Sequence, residues 1–379
     1  MISMKKTLLT FSALLASLSF SAGQSDTSVR FGETGELGFL FRGSGTYDSN
    51  LTLSEDNRES GTYVTLTPGV NVTLGDNVTP FDLNFTGTYS LVRYTDKTRY
   101  NTHLWNLNGR GAYSLARTDI SLTGSYREIQ ANQPDVEAID DIVVTKTARG
   151  GLNALYQLSP KFNFGAGGSA EHKTYDGGNN LTRNIYTVPV DVFYALTPKL
   201  QTTGGFRYRD TVVDGGVDTK DYFFNGGITG QLTPKLRSRV RLGYQLREFN
   251  DSQSNKGSFS ILSNSTYDAT RRDQIGLQFN RDFATSGAGQ SINKTSGGLT
   301  YRHEFPWELT VSTGVTLQYN DYVDDPRDDT NVSGRVGLEY AINRYASANV
   351  MYSYRNNNSN QDGSSYHANM IRIGAGLRY

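Results

Sequence analysis

The chain has 379 residues with 40 Gly, 24 Tyr, 18 Phe and 2 Trp, no Cys, and 37 basic side chains against 37 acidic ones. Without thiols there is no disulfide framework and no thiolate zinc site. Balanced charge and abundant aromatics exclude a disordered chain and argue against a basic nucleic-acid binder.

Residues 1–22 read as a secretory signal peptide. Lys5 and Lys6 precede an apolar run from Leu8 to Leu18, small residues follow, and cleavage after Ser21 or Gly23 meets the small-residue rule. The run is shorter than the roughly 20 residues a spanning helix needs, and no later stretch reaches that length. Residues 23–35 are expected to be a short periplasmic N-terminal segment, and 36–379 one domain.

From Glu36 onward the hydrophobic period is two. GELGFLFRGSGTYD (35–48) sets Leu37, Phe39, Phe41 and Tyr47 against Glu36, Arg42, Ser44 and Thr46. VTLTPGVNVTL sets Val64, Leu66, Val70 and Val72 against Thr65, Thr67, Asn71 and Thr73, and FDLNFTGTYSL repeats the scheme with Phe81, Leu83 and Phe85. One apolar and one polar face is what a wall between lipid and water requires. Continued to the end, the pattern gives eighteen strands, centred from about residue 42 to about residue 372.

The connections alternate in length. Tight ones contain GDNVTP (75–80), LART (115–118), three L-[ST]-P-K turns (158–161, 196–199, 232–235), ATRRD (269–273), FPW (305–307) and NRYA (343–346). The others include the long polar segments 49–60, 129–141, 175–183, 212–221, 250–258, 285–294, 320–330 and 356–365; only TDKTRY (95–100) is short for its class. These features predict an all-β fold, a transmembrane antiparallel up-and-down barrel with short periplasmic turns and long extracellular loops. Aromatics collect at both strand ends, with Phe81, Tyr113, Tyr156 and Trp307 near tight turns and Tyr47, Trp105, Tyr244 and Tyr366 near long loops, as two interfacial girdles would. A soluble β-sandwich also alternates, but it needs neither girdle. The final segment IRIGAGLRY places Ile373, Leu377 and the terminal Tyr379 on one face.

The stretches GTYDSNLTLSEDNRESGTYVTLTPGV (45–70) and FNGGITGQLTPKLRSRVRLGYQLREF (224–249), with the repeated L-[ST]-P-K turns, resemble the putative β-barrel porin 2 family of bacterial outer-membrane proteins. The resemblance implies an outer-membrane location and, for many members, association with exopolysaccharide synthesis and export. It carries no catalytic motif. The ending on Tyr379 is similar to the C-terminal signal read by the barrel assembly machinery. Implied partners are outer-membrane lipid, that machinery and polysaccharide export components.

Inward charges set selectivity in barrels. The alternation turns Arg110, Arg149, Arg207, Arg209, Arg237, Arg239, Arg241, Arg335 and Arg372 inward, against fewer inward acids such as Glu36, Asp82, Glu171, Asp191, Glu304 and Glu339. Most acids fall in the loops, so the expectation is a basic wall beneath acidic loops and a path for anionic solutes. The same arginines could instead brace the barrel by pairing across strands. His103, His172, His303 and His367 lie on separate strands without a hydrolase motif. Asp214, Asp218 and Asp221, and the aspartates of 324–329, lack EF-hand spacing. No enzyme activity, cofactor, metal site or nucleic-acid partner is expected. The reading is a porin-like channel or export component for polysaccharide or anionic solutes; a general diffusive porin and a surface adhesion or structural barrel are the alternatives.

Overall fold

The computed structural model describes residues 29–75, 79–130, 136, 141–251, 253–323 and 325–379. The signal peptide and most of the 129–141 loop lie outside them. Nineteen strands are present among the described residues: β1 (Val29–Phe31), β2 (Gly35–Asp48), β3 (Gly61–Leu74), β4 (Phe81–Tyr94), β5 (Thr102–Ser114), β6 (Thr118–Gln130), β7 (Val144–Gln157), β8 (Phe162–Asp176), β9 (Arg183–Thr197), β10 (Leu200–Val213), β11 (Thr219–Thr233), β12 (Leu236–Phe249), β13 (Lys256–Asp268), β14 (Asp273–Thr285), β15 (Ser291–Glu304), β16 (Leu309–Tyr322), β17 (Asp328–Ala341), β18 (Ala346–Ser359) and β19 (Tyr366–Arg378). β2 to β19 fall on the eighteen period-two segments.

Every barrel strand pairs antiparallel with its sequence neighbours, and β19 pairs with β2 to close the ring. Closure satisfies backbone groups that lipid could not. Tyr379 completes the seam, its N–H donating to the Phe39 carbonyl (2.9 Å) and its carbonyl accepting from the Phe39 N–H (2.6 Å). Below that point β2 has no β19 partner, and there β1 adds, pairing Val29–Phe31 with Leu37–Gly35. The alternation did not reveal β1, because three residues are too few to show a period. Its effect is to cover the β2 edge that β19 leaves free.

Two prolines sit inside strands and each interrupts one ladder, since proline has no N–H to donate. Pairing of β3 with β4 skips Thr67 and Pro68, where Thr67 and Ser90 hydroxyls bond instead at 2.9 Å. Pairing of β8 with β9 skips Val188 and Pro189.

The outer face is apolar and exposed, with Phe39, Leu66, Leu122, Leu152, Leu242, Leu277, Leu317 and Ile373 on it. The girdles are largely as expected, with Phe81, Tyr113, Tyr156 and Trp307 at the turn end and Tyr47, Trp105 and Tyr244 at the loop end, all exposed. Tyr366 is an exception. It faces inward, is buried, and receives a hydrogen bond from Asn331 at 3.1 Å. Strands also run further into the expected loops than polarity suggested. The segment 320–330 keeps only 323–327 between β16 and β17, and Asn320 and Asp329 are fully buried.

Candidate functional site: a lumen narrowed at the loop end

By register, all nine predicted arginines face the lumen. Arg110 lies on β5, Arg149 on β7, Arg207 and Arg209 on β10, Arg237, Arg239 and Arg241 on β12, Arg335 on β17 and Arg372 on β19. Ile373, Leu377 and Tyr379 face outward and are exposed. Lumen-facing neighbours of the arginines are mainly Asn, Gln, Ser and Thr, so the wall around them is largely hydrophilic.

The register corrects part of the expected segregation of charge, because Asp221 and Asp329, assigned to loops, stand buried on the inner wall. Asp221, read as part of a loop cluster with Asp214 and Asp218, lies in β11 and is fully buried. It accepts from Arg209 Nε at 2.7 Å and from Arg247 Nε and Nη2 at 2.7 and 2.8 Å. Asp282 on β14 accepts from Arg207 at 2.9 Å and from Arg209 at 3.3 Å. Arg241 binds Asp191 at 2.7 and 3.2 Å, Arg355 binds Asp48 at 2.8 Å, Arg237 binds Asp268 at 3.3 Å, and Arg149 pairs with Glu171. Gly205 makes the Arg241 pair possible, because a Cβ there would meet Asp191 Oδ1 at 1.9 Å. Arg207, Arg209 and Arg241 thus act as braces within the wall.

The pairs at Asp191, Asp221 and Asp282 stand where the wall folds inward. β13 pairs with β14 only from Ile261 opposite Arg281 downward. Above that level β14 leaves its neighbour, while β15 stays paired with β16 up to Ile292 opposite Tyr322. The upper β14–β15 hairpin therefore swings over the inner faces of β9–β13. Phe283, on the outward register of β14, is 2% exposed and lies under the Arg247 guanidinium, 4.8 Å from its ring centroid. Asn293 donates to Ser258 on the inner face of β13 at 3.2 Å.

A strand that leaves its ladder must find other partners for its carbonyls. The arginines supply them. Arg183 Nη1 donates to the Thr285 and Ser286 carbonyls (2.6 and 2.8 Å), Arg209 Nη2 to that of Phe283 (2.7 Å) and Arg247 Nη1 to that of Ala284 (2.8 Å). The Ser260 hydroxyl donates to the Arg281 carbonyl at 2.7 Å, and the Leu181 N–H to that of Gly287 at 2.7 Å. Gln245, fully buried, donates to Asp282 at 2.7 Å and accepts from the Phe283 N–H at 3.2 Å in the amide orientation that satisfies both ends. Between Asp191, Arg207, Phe223, Arg241 and Asp282 only about 30 Å³ of space remains.

The opposite side of the mouth is narrowed by apolar packing. Tyr63, Val92, Tyr94 and Leu104 point inward from β3, β4 and β5, and Leu51, Tyr100 and Ile142 from the connecting segments close over them. The Tyr94 ring lies 4.8 Å from Tyr63 and 5.7 Å from Tyr100. Asn50, fully buried, fixes the β2–β3 connection by donating to the carbonyls of Ser54 (2.8 Å) and His367 (3.1 Å). At the turn end a recess of about 840 Å³ is bordered by Lys235, Asp268, Arg272 and Arg302.

Asp282, Arg183 and Gln245 were not singled out in the sequence. Asp282 was recoverable, since it continues the inward alternation of Gln278 and Asn280. The infolding was not, because it depends on contacts between β14 and strands as far away as β9.

A closed barrel with an apolar outer band, two aromatic girdles and a hydrophilic lumen defines an outer-membrane β-barrel. The family described as putative beta-barrel porin 2 matches residues 40–379, and the chain belongs to it. It is a protein of the bacterial outer membrane, in a family of porins, which are channels rather than enzymes. Among solved structures it is similar to the outer-membrane protein OpdK of Pseudomonas aeruginosa, at 9% identity over 90% of this chain and 99% of that one, with a TM-score of 0.48. It is also similar to a BenF-like porin from Pseudomonas fluorescens, at 10% identity over 91% and 99%, TM-score 0.49. OccK2 of Pseudomonas aeruginosa in complex with glucuronate matches at 11% identity over 91% and 98%, TM-score 0.49. No curated protein matches.

Proposed function

We propose that the barrel is a selective channel for anionic, hydroxyl-rich solutes, acidic saccharides in particular, and that it serves an exopolysaccharide system as an exporter or outer-membrane component. The observation that carries this is the charge of the inner wall. Even with the braced pairs set aside, basic side chains outnumber acidic ones on the lumen register. Among the described residues Arg110 and Arg127 have no ion-pair partner. Guanidinium forks suit carboxylates and sulfates, and the Asn, Ser and Thr around them suit hydroxyls. The narrowed mouth favours a selective path over wide diffusion.

Single-channel reversal potentials in a KCl gradient test the sign. Anion preference is expected, and cation preference overturns the reading. Liposome swelling then separates selective transport from general diffusion: glucuronic acid should permeate faster than glucose, whereas equal rapid swelling would favour a diffusive porin. For the cellular role, deleting the gene should retain acidic polysaccharide inside the envelope; unchanged export removes that part of the proposal. The outward face of Ile373, Leu377 and Tyr379 supports recognition by the barrel assembly machinery, and Tyr379→Ala should slow insertion in a reconstituted assembly assay.

A further inference from the structure

Six of the eight tight turns between barrel strands carry exposed Lys or Arg. Five of them follow one another around the rim from β5 to β14, with Arg117, Lys161, Lys199, Lys235 and the pair Arg271–Arg272. Lys235 donates to the Ala269 carbonyl at 2.6 Å, while Lys161 and Lys199 have no side-chain hydrogen bond or ion pair among the described residues. The two turns without a cation carry Asp76 and Glu308.

In four of the five turns the cation stands beside apolar surface. Leu115, Leu158, Leu196 and Leu232 open four of the five turns and project outward, exposed, above the girdle aromatics Tyr113, Tyr156 and Phe162. A long basic side chain at such a place lays its stem along hydrocarbon and lifts its charge to the headgroup level. Neighbouring turns are two strands apart, roughly 10 Å. That is close to the Debye length of about 8 Å at physiological ionic strength, so their fields overlap. The outward strand ends at the loop end differ, with Glu128, Asp176, Asp210 and Glu248 set among fewer bases. The basic arc is therefore specific to the turn end.

We propose that the turns from β5 to β14 form a binding arc for anionic glycerophospholipid headgroups of the leaflet that meets the turn end. The arc gathers such lipids along one side of the barrel and leaves the side bearing Glu308, where Arg344 is the lone basic turn residue among the described residues, without them. The inference rests on the turns facing the phospholipid leaflet, which a protease-site insertion in 250–258 probed on intact cells checks separately.

The test is native mass spectrometry of the full-length folded barrel in detergent, titrated with phosphatidylglycerol, phosphatidylcholine or lipid A. Phosphatidylglycerol should be retained over phosphatidylcholine by roughly fivefold for each cation engaged. A variant with Lys161, Lys199, Lys235, Arg271 and Arg272 changed to Gln should lose that preference, while Lys146→Gln with Lys220→Gln at the loop end should keep it. Folding of each variant is confirmed by heat-modifiable gel mobility, and single-turn variants should show graded losses if the full set does not fold. Equal retention of the two phospholipids, an unchanged preference after neutralisation, or stronger retention of lipid A than of phosphatidylglycerol would each overturn the proposal.

Discussion

The two sides of the loop-end mouth are narrowed by opposite chemistry. Over β2–β7, loop side chains Leu51, Tyr100 and Ile142 pack on inward Val92 and Tyr94. Over β9–β15 the wall itself bends in, and ion pairs and guanidinium-to-carbonyl bonds hold it. A segment entering a largely hydrophilic lumen finds little apolar surface beyond residues such as Phe223 and Val213, so most polar groups it brings must meet a specific partner. Apolar contacts weaken by degrees as atoms are removed. A buried ion pair fails abruptly, because the charge left behind has lost both water and partner.

The largest effect follows from Asp221, which faces Arg209 and Arg247 together. Asp221→Ala should destabilise the folded barrel by about 3–5 kcal/mol, measured by urea unfolding in lipid vesicles. Changing Arg209 and Arg247 to Met in the same chain removes the unpaired charges but also the donors to the Phe283 and Ala284 carbonyls, so it should recover only part of that loss. If Asp221→Ala were as stable as the natural chain, ion pairing would not be what holds the inward fold. On the apolar side, Tyr94→Ala should cost about 2–3 kcal/mol, at or below the usual range for a buried aromatic because the cluster is small. Its signature is a gradual loss without altered ion selectivity.

Arg183→Gln tests the hairpin locally. It removes a charged donor from the Thr285 and Ser286 carbonyls, worth about 2 kcal/mol, and should raise the population of an opened hairpin roughly 30-fold. Global stability should barely change, since the rest of the ladder is intact. Planar-bilayer recordings should show longer and larger conductance events, and unaltered conductance would mean that the hairpin does not limit the pore.

The period-two pattern made the barrel legible because one face of each strand meets lipid and the other water, a constraint acting residue by residue. Inward arginines followed from the same alternation. Their partners were harder to see. In VVDGGVDTKD the glycines and aspartates resemble a loop, although Asp221 shares the register of Phe223 and Asn225 in the strand that follows. β1 and the inward hairpin were hidden for another reason: both depend on where a neighbouring strand stops pairing, and no local pattern encodes that.

The smallest effect lies at the outer edge of the apolar side, where Glu59 accepts from Lys97 at 2.8 Å and from Arg99 at 3.1 Å. The Lys97 hydrogen bond, helped by the charges of both cations, holds the Glu59 carboxyl below the usual range. A carboxylate depressed in the folded state stabilises that state above its unfolded value of about 4.3 and loses the contribution as pH falls through the folded value. The pair is partly exposed and screened, so it contributes at most about 1 kcal/mol. Glu59→Gln should therefore match the natural chain in the acid limit and fall slightly below it at neutral pH. The difference should shrink in high salt, where a buried pair such as Asp221 with Arg247 would hold. Protease susceptibility of the 49–60 segment between pH 3 and 7, with and without 1 M NaCl, measures it. A pH-independent difference would mean that the clasp acts through packing of the Lys97 and Arg99 stems rather than through charge.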